Sequence, residues 1–262
     1  MRTEQVTSAQ NPKIRNLLLL QEKSRARREQ GLFVVEGRRE LEHCLEAGFR
    51  VRTLFVCPKM AGKGPLPAAP ETTVVEIPEN IYRKVAYREG TEGVVAEVEY
   101  RERRLEDLEP GEAPLIVVLE SVEKPGNLGA VLRSADAARA DAVLVCDPLT
   151  DLYNPNLIRA SLGGVFTVPT VCTTSAEAID WLRSRGIRIL TAQLQDSEWY
   201  YDINMKGGTA LVMGTESTGL SPVWRRAADA HIRIPMLGRL DSLNVSVSTA
   251  ILLFEAVRQR HA

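Results

Sequence analysis

The second half of the chain alternates between short, continuous apolar runs and longer segments with helical periodicity. Four such runs are typical of strands: Leu115–Leu119, Ala142–Cys146, Ile187–Ala192 and Ala210–Met213. Strands that are apolar along their whole length are typical of parallel sheets, because helices cover both faces. Helical patterns fill the intervals and the end of the chain: Leu128–Arg139, Asn156–Leu162, Ala176–Ser184, Pro222–Ala228 and Val245–Arg260. This order predicts a doubly wound α/β domain.

The first 100 residues predict a separate, smaller α/β unit. Asn11-Pro12 can begin a helix, because proline at the first helical position loses no needed N–H, and Gly31 can end it. The later elements are strands Leu32–Val35, Val51–Val56, Thr73–Ile77 and Val94–Val98, and helices Arg38–Ala47 and Glu79–Tyr87. The charged stretch that begins at Tyr100 and ends at Pro114 is typical of a linker. We therefore expect one domain over 1–100, a linker over 101–114 and a second domain over 115–262.

Positive charge is concentrated at the start of the chain. The net charge of the 262 residues is −1, but residues 1–39 carry nine Lys and Arg against four Glu, a local charge of +5. A basic arm on an otherwise acidic chain is typical of proteins that bind nucleic acid. A solvated helix face is the alternative interpretation.

The cysteines and histidines are scattered, and the four cysteines form no C-x-x-C pair. This spacing argues against a disulfide framework and against a zinc site. No apolar run approaches the roughly 20 residues of a membrane span, and the N-terminus lacks the apolar core of a signal peptide. These features predict a soluble cytoplasmic protein with no bound metal.

Three Gly- and Asn-bearing segments follow predicted strands, at the sheet edge where open α/β folds bind ligands. They cover residues 120–133, 213–220 and 234–247. The second segment nearly matches a phosphate-binding loop, but Leu220 stands at the lysine position and cannot reach a phosphate. No segment carries the G-x-G-x-x-G pattern, so a nucleoside triphosphatase and an NAD-dependent enzyme are both disfavoured. Taken singly, Asn127, Ser242 and Asn244 are also candidates for helix caps.

Together the three segments resemble the sequence motifs of the SpoU/TrmH family, a branch of the SPOUT class of RNA methyltransferases. The motif N-x-G-x-x-x-R is matched by Asn127, Gly129 and Arg133. The motif G-x-E-x-x-G-L is matched by Gly214, Glu216, Gly219 and Leu220. The motif I-P-M-x-G-x-x-x-S-L-N-V-S-V is complete from Ile234 to Val247. Residues 1–100 are similar to the substrate-binding domain that precedes the catalytic domain in many members.

The resemblance implies methyl transfer from S-adenosylmethionine to a ribose 2′-hydroxyl of RNA. It implies a homodimer whose catalytic domain ends in a deep trefoil knot. It assigns cofactor contacts to Gly214, Ile234, Met236 and Leu243, and the catalytic site to Arg133, Asn127, Glu216, Ser242 and Asn244. Because a guanidinium rarely releases its proton, we expect Arg133 to hold an RNA phosphate and orient the hydroxyl rather than act as the base.

The cofactor pocket reads no RNA sequence, so affinity for RNA is expected from the basic arm. The predicted contacts are Lys13, Arg15, Lys23, Arg25, Arg27, Arg28, Arg38 and Arg39. Tyr82 and Tyr87 are candidates for base stacking, although a place in the core is the simpler expectation for both. The extra N-terminal domain favours ribosomal RNA as the substrate. A tRNA methyltransferase and a non-catalytic RNA-binding protein on the same fold are the alternatives, and a resistance methylase would look much the same.

Overall fold

The computed structural model describes residues 2–62, 64–87, 92–215 and 218–261. The chain divides into two compact units. Unit 1 comprises residues 1–101 and 151–167, and unit 2 comprises residues 102–150 and 168–262. Each unit has its own sheet and apolar core, which confirms the predicted α/β class.

Unit 1 is built on a five-stranded mixed sheet. Its strands are β1 (Arg2–Gln5), β2 (Leu32–Glu36), β3 (Val51–Val56), β4 (Thr73–Glu76) and β5 (Val94–Glu99), in the order β1-β4-β3-β5-β2. The first three in this order run parallel, and β5 is antiparallel to β3 and β2. The helices are α1 (Pro12–Glu22), α2 (Ser24–Gln30), α3 (Arg38–Glu46) and α4 (Glu79–Val85). The edge strand β1 was not predicted, because its residues are polar and three of the four face solvent.

The single helix predicted between Asn11 and Gly31 is two helices. The predicted ends are confirmed: Asn11 accepts a hydrogen bond from the backbone N–H of Lys13 at 2.9 Å, and Gly31 closes α2 in the left-handed conformation. The break lies at Lys23, whose backbone is extended. Within α2, the Arg27 guanidinium folds back onto the carbonyl of Leu20, at 2.6 Å. This contact satisfies an orphan carbonyl of the last turn of α1.

Unit 2 is built on a seven-stranded sheet in which every pairing is parallel, as predicted. Its strands are β6 (Leu115–Glu120), β7 (Ala142–Cys146), β8 (Thr170–Thr173), β9 (Arg188–Ala192), β10 (Glu198–Trp199), β11 (Thr209–Met213) and β12 (Ala230–Arg233). Their order is β10-β12-β9-β11-β6-β7-β8. The helices are α5 (Pro125–Ala137), α8 (Ser175–Ser184), α9 (Pro222–Ala227) and α10 (Val245–Arg260). The short strands β8, β10 and β12 were not predicted.

The direction of winding changes beside β6. The chain first adds β7 and β8 on one side of β6 and then places β11, β9, β12 and β10 on the other. Such a switch point is where open parallel sheets bind ligands, in the crevice outside the carboxyl ends of the strands. The trefoil knot implied by the resemblance concerns the path of the chain at this edge and stays a prediction. Within the described ranges, no helix combines the length and apolar character needed to cross a membrane.

The segment 151–167 differs from the sequence expectation. It was expected inside the second domain, but its helices α6 (Pro155–Ser161) and α7 (Gly164–Thr167) pack with unit 1. The physical reason is an aromatic cluster in which Phe33 of β2 stacks on Tyr153, with ring centroids 4.1 Å apart, and on Phe166 at 6.0 Å. The helical period of this segment revealed that it is amphipathic but not which core it fills.

Candidate active site

The carboxyl ends of β9, β11 and β12 surround a cavity of about 640 Å³. This volume lies in the range that small-molecule and cofactor sites occupy. The cavity brings together the four predicted cofactor residues, Gly214, Ile234, Met236 and Leu243. Met213 and Leu252 extend the apolar wall, while Asp241, Ser242 and Asn244 add polar groups.

Gly214 follows β11 at a point where the backbone closes on itself. The backbone groups of Thr215 and Gly219 exchange hydrogen bonds of 3.3 and 3.0 Å, so the loop returns beside its own start. A Cβ built on Gly214 would lie 2.3 Å from the carbonyl carbon of Gly219 and 2.5 Å from the nitrogen of Leu220. These neighbours are backbone atoms, which cannot rotate away. Glycine is therefore the residue that this loop accommodates at position 214.

Two asparagines connect the first and third motifs. The Asn244 amide donates to Asn127 Oδ1 at 3.1 Å. Asn244 also caps α10, because its Oδ1 accepts from the backbone N–H of Ser246 at 3.0 Å. Asn127 is the third residue of α5 and not its cap, so its side chain points to α10 instead of its own helix end. A smaller cavity of about 140 Å³ lies beside it and shares Gly214, Thr215 and Val245 with the larger one.

The remaining predicted catalytic residues have different surroundings. Arg133 is exposed on α5 and lines neither of these two cavities, and its side chain has no hydrogen bond or ion pair with the part of the chain that the structure describes. Ser242 lines the larger cavity, and its hydroxyl donates to Asp241 at 3.3 Å. Ser242 does not cap α10. Glu216 lies outside the described residues. One chain alone thus gathers the cofactor residues and both asparagines but not Arg133.

A polar cluster around the buried residues Glu120, Ser175 and Trp224 supports the second motif. At the end of β6, Glu120 accepts a hydrogen bond from the backbone N–H of Ser221 at 2.8 Å. The fully buried Trp224 donates its indole N–H to Ser175 at 2.9 Å, and the Ser175 hydroxyl donates to Asp147 at 2.6 Å. These bonds fix the start of α9 and hence the short segment that connects Gly219 to this helix.

Sequence reasoning missed several residues that line the cavity. The loop after β9 contributes Gln193, Leu194 and Gln195, and two arginines, Arg225 and Arg233, add positive charge. The position of the loop was a usable signal, because it follows a predicted strand and must emerge at the ligand-binding edge. The arginines had no such signal, since α9 and the unpredicted strand β12 carry them.

The basic arm is only partly available to a ligand. Arg15, Lys23, Arg25, Arg28 and Arg39 are exposed. Lys13 pairs with Glu4, and Arg38 donates to the carbonyls of Ala61 and Pro65. The prediction that Arg27 contacts RNA is wrong for this conformation, because its side chain is buried against Asp151, with Nε 2.6 Å from Oδ2.

The two tyrosines that were candidates for base stacking differ in burial. Tyr82 is fully buried in the core of unit 1, as the simpler expectation held. Tyr87 is exposed, and the Arg159 guanidinium carbon lies 4.6 Å from its ring centroid. The core expectation is therefore wrong for Tyr87.

Two family models match the chain. Residues 114–254 match the SpoU rRNA Methylase family, and residues 11–96 match the MRM3-like substrate binding domain. Among curated proteins, a 23S rRNA (guanosine-2'-O-)-methyltransferase of Pseudomonas aeruginosa is 39% identical over 176 residues, which are 64% of this chain and 71% of that protein. A 23S rRNA (uridine(2479)-2'-O)-methyltransferase of Streptomyces viridochromogenes is 31% identical over 241 residues, 88% of this chain and 84% of that protein.

A solved structure resembles the whole chain. The crystal structure of an AdoMet-bound rRNA methyltransferase from Sinorhizobium meliloti superposes with a TM-score of 0.87 at 32% identity. The match covers 98% of each chain. The likeness therefore includes both units and is not confined to the sheet that carries the cavity.

Proposed function

The chain belongs to the SpoU rRNA methylase family, and on that premise we propose that it transfers a methyl group from S-adenosylmethionine to a ribose 2′-hydroxyl of 23S rRNA. The predicted family, enzyme class and cofactor are thereby confirmed. The observation that carries the proposal is the convergence of the motifs: Gly214 and Asn244 line one cavity, and Asn127 bonds to Asn244 across the first and third motifs.

The residues around the cavity fit S-adenosylmethionine. Ile234, Met236 and Leu243 offer an apolar wall to a flat, weakly polar ring, and the absent side chain of Gly214 leaves backbone groups within reach of the ligand. The Asp241 carboxylate suits the positive charge of the methionine part. When bound, S-adenosylmethionine supplies an electrophilic methyl group on its sulfonium.

The chain must then hold and orient the ribose. A 2′-hydroxyl is a weak nucleophile that has to lose its proton during attack. We assign to Arg133 the binding of an RNA phosphate through its planar guanidinium, which orients the hydroxyl toward the cofactor. We assign the positioning of Arg133, the ribose and the cofactor loop to the other predicted catalytic residues, Asn127, Glu216, Ser242 and Asn244.

A homodimer would complete this site, since Arg133 lies outside the cavity of its own chain. Large apolar side chains are exposed along the third motif and the helix after it: Leu237, Leu240, Leu243, Val247 and Phe254. A contiguous exposed apolar patch marks an interaction surface in a soluble protein. Pairing through this surface would bury these side chains and bring Arg133 of the partner toward the cavity.

The two regions of the chain would divide the work. We assign residues 1–100 to RNA binding, residues 101–114 to a linker and residues 115–262 to catalysis. RNA contacts would come from the exposed members of the basic arm, Arg15, Lys23, Arg25, Arg28 and Arg39. Guanosine and uridine both occur in the names of the relatives, so the proposal stops at 23S rRNA and names no nucleotide. A ribosomal substrate implies that the enzyme works in the cytoplasm.

The test is methyl transfer from labelled S-adenosylmethionine to separate rRNA and tRNA fractions. We expect label in the ribose of rRNA, loss of transfer with Arg133→Ala, and unchanged cofactor affinity in that variant. Arg226→Ala is the matched control, because Arg226 is exposed on α9 and does not line the cavity. Label in tRNA alone would contradict the substrate, and equal loss of transfer and cofactor binding in Arg133→Ala would contradict the role of Arg133.

A further inference from the structure

Three consecutive aromatic residues, Trp199, Tyr200 and Tyr201, lie at the end of β10, and the proposed reaction does not use them. Trp199 is 37% exposed and Tyr201 is 46% exposed. Their rings are nearly parallel, with an interplanar angle of 18° and centroids 6.4 Å apart. A strand of two residues at the sheet edge needs no such side chains for its pairing with β12. Their exposure leaves aromatic ring surface available to a ligand.

These aromatic residues lie beside the cofactor cavity. Trp199 pairs in register with Arg233, the residue before Ile234 of the third motif. The Arg233 guanidinium carbon lies 4.1 Å from the Trp199 ring centroid, and Arg233 lines the cavity. Because β10 and β12 are parallel, both end at the edge that holds the cofactor loops. One arginine thus touches both the aromatic ring and the cavity.

We propose that Trp199 and Tyr201 form a stacking platform for an unpaired base of the RNA substrate, next to the site of methyl transfer; this rests on the proposed function. Base–aromatic stacking is the mode by which proteins hold single-stranded RNA, since every base presents a π-face. The carboxylates of Asp196, Glu198 and Asp202, close to the aromatic residues in the sequence, are exposed. They would repel a phosphate backbone, so the platform contacts the base, whose amino groups can donate to them.

The decisive variant is Trp199→Leu, which keeps an apolar side chain but removes the aromatic face. We expect RNA binding to weaken about tenfold or more, the loss typical of one base–aromatic stack, with a higher KM for rRNA and unchanged affinity for S-adenosylmethionine. Trp199→Phe and Tyr201→Phe keep an aromatic ring and should retain most of the binding. Val223→Ala is the control, because Val223 is exposed to the same 37% on α9 and does not line the cavity.

A second readout does not depend on turnover. Trp181 and Trp224 are buried, so acrylamide quenching of tryptophan fluorescence reports mainly on Trp199. A short single-stranded RNA oligonucleotide should protect this fluorescence from acrylamide, and an abasic oligonucleotide of the same length should not. This readout also separates the two proposals. If methyl transfer fails but the RNA oligonucleotide still protects Trp199 from acrylamide, the proposed function is contradicted and the stacking platform is not.

Three results would overturn the platform. The first is an RNA affinity of Trp199→Leu equal to that of Val223→Ala, and the second is equal protection by the abasic oligonucleotide. The third is a wild-type dimer that becomes a monomer in Trp199→Leu, because the aromatic pair would then be an interface between two copies of the chain. Thermal melts of each variant show whether a loss of binding reflects unfolding.

Discussion

The buried pair between Arg27 and Asp151 yields a sharp test of the fold, because the same helix carries an exposed counterpart. Arg27 and Asp151 have side chains that are 2% and 7% exposed, with an N–O distance of 2.6 Å. Arg25 and Glu29 pair at the same 2.6 Å, but their side chains are 86% and 60% exposed. The two pairs share their chemistry and distance and differ in burial. The perturbation is Arg27→Met, with Arg25→Met as the matched control.

The expected magnitude follows from what Arg27→Met leaves behind. Asp151 would remain buried without its cation, and removing one partner of a buried pair costs about 3–5 kcal/mol. The carbonyls of Leu20 and Gln21 would also lose donors at 2.6 and 3.2 Å. These losses overlap, so we expect a total of roughly 3–5 kcal/mol, a large part of the roughly 5–15 kcal/mol that stabilises a domain. Arg25→Met should stay close to the wild-type stability, because water already screens its pair.

The assay is urea unfolding followed by circular dichroism, supported by thermal melts. A double variant, Arg27→Met with Asp151→Leu, separates charge burial from lost contacts. Because it leaves no uncompensated charge, it should be less destabilised than the sum of the single variants. Equal midpoints for Arg27→Met and Arg25→Met would refute the argument from burial. Strict additivity in the double variant would refute the argument from pairing.

Three further predictions concern the cofactor loop, a buried acid and the proposed dimer. Gly214→Ala should weaken cofactor binding about tenfold to a hundredfold, since overpacking costs about 1–3 kcal/mol. Titration of each variant with S-adenosylmethionine measures this, and Gly111→Ala is the control because its added Cβ meets open space. Burial raises the pKa of Glu97, so its carboxylate disfavours the folded state as pH rises above its unfolded pKa. Glu97→Gln should therefore raise the Tm at about pH 7 and change little at about pH 4; an equal shift at both would contradict the burial argument. If the proposed dimer forms through this surface, sedimentation should give a dimer mass for the wild type and a monomer mass for Phe254→Asp; an equal mass for both would remove Phe254 from the interface.

The strands and helices of unit 2 were largely predictable from the sequence. Continuous apolar runs predicted β6, β7, β9 and β11, and the α10 bounds matched the pattern from Val245 to Arg260. The failures have a common cause. β10 has two residues and β12 has four, so neither is long enough to show a period. β12 nevertheless carries Arg233, which connects the cavity to Trp199.

The site residues were predicted from the resemblance of the three motifs, and the structure adds a local backbone reason for two of them. Gly214 lies in a tight loop, and Asn244 caps a helix, as its residue type had suggested. The bond between Asn127 and Asn244 spans 117 positions, and only the packing of α5 on α10 creates it. The position of Arg133 outside the cavity of its own chain also depends on tertiary packing, so the periodicity of the sequence could not predict it.

The α/β class, the order of the main elements and the positions of the motif loops after strands could be predicted from sequence, because each depends on residues close together in the chain. The tertiary structure decided that 151–167 packs with unit 1, since its aromatic residues meet Phe33 more than 100 positions away. It also turned Arg27 from a predicted RNA contact into a buried cation, because Asp151 of that segment lies against it. Burial is a property of distant partners, and a charge pattern read along the chain does not contain it.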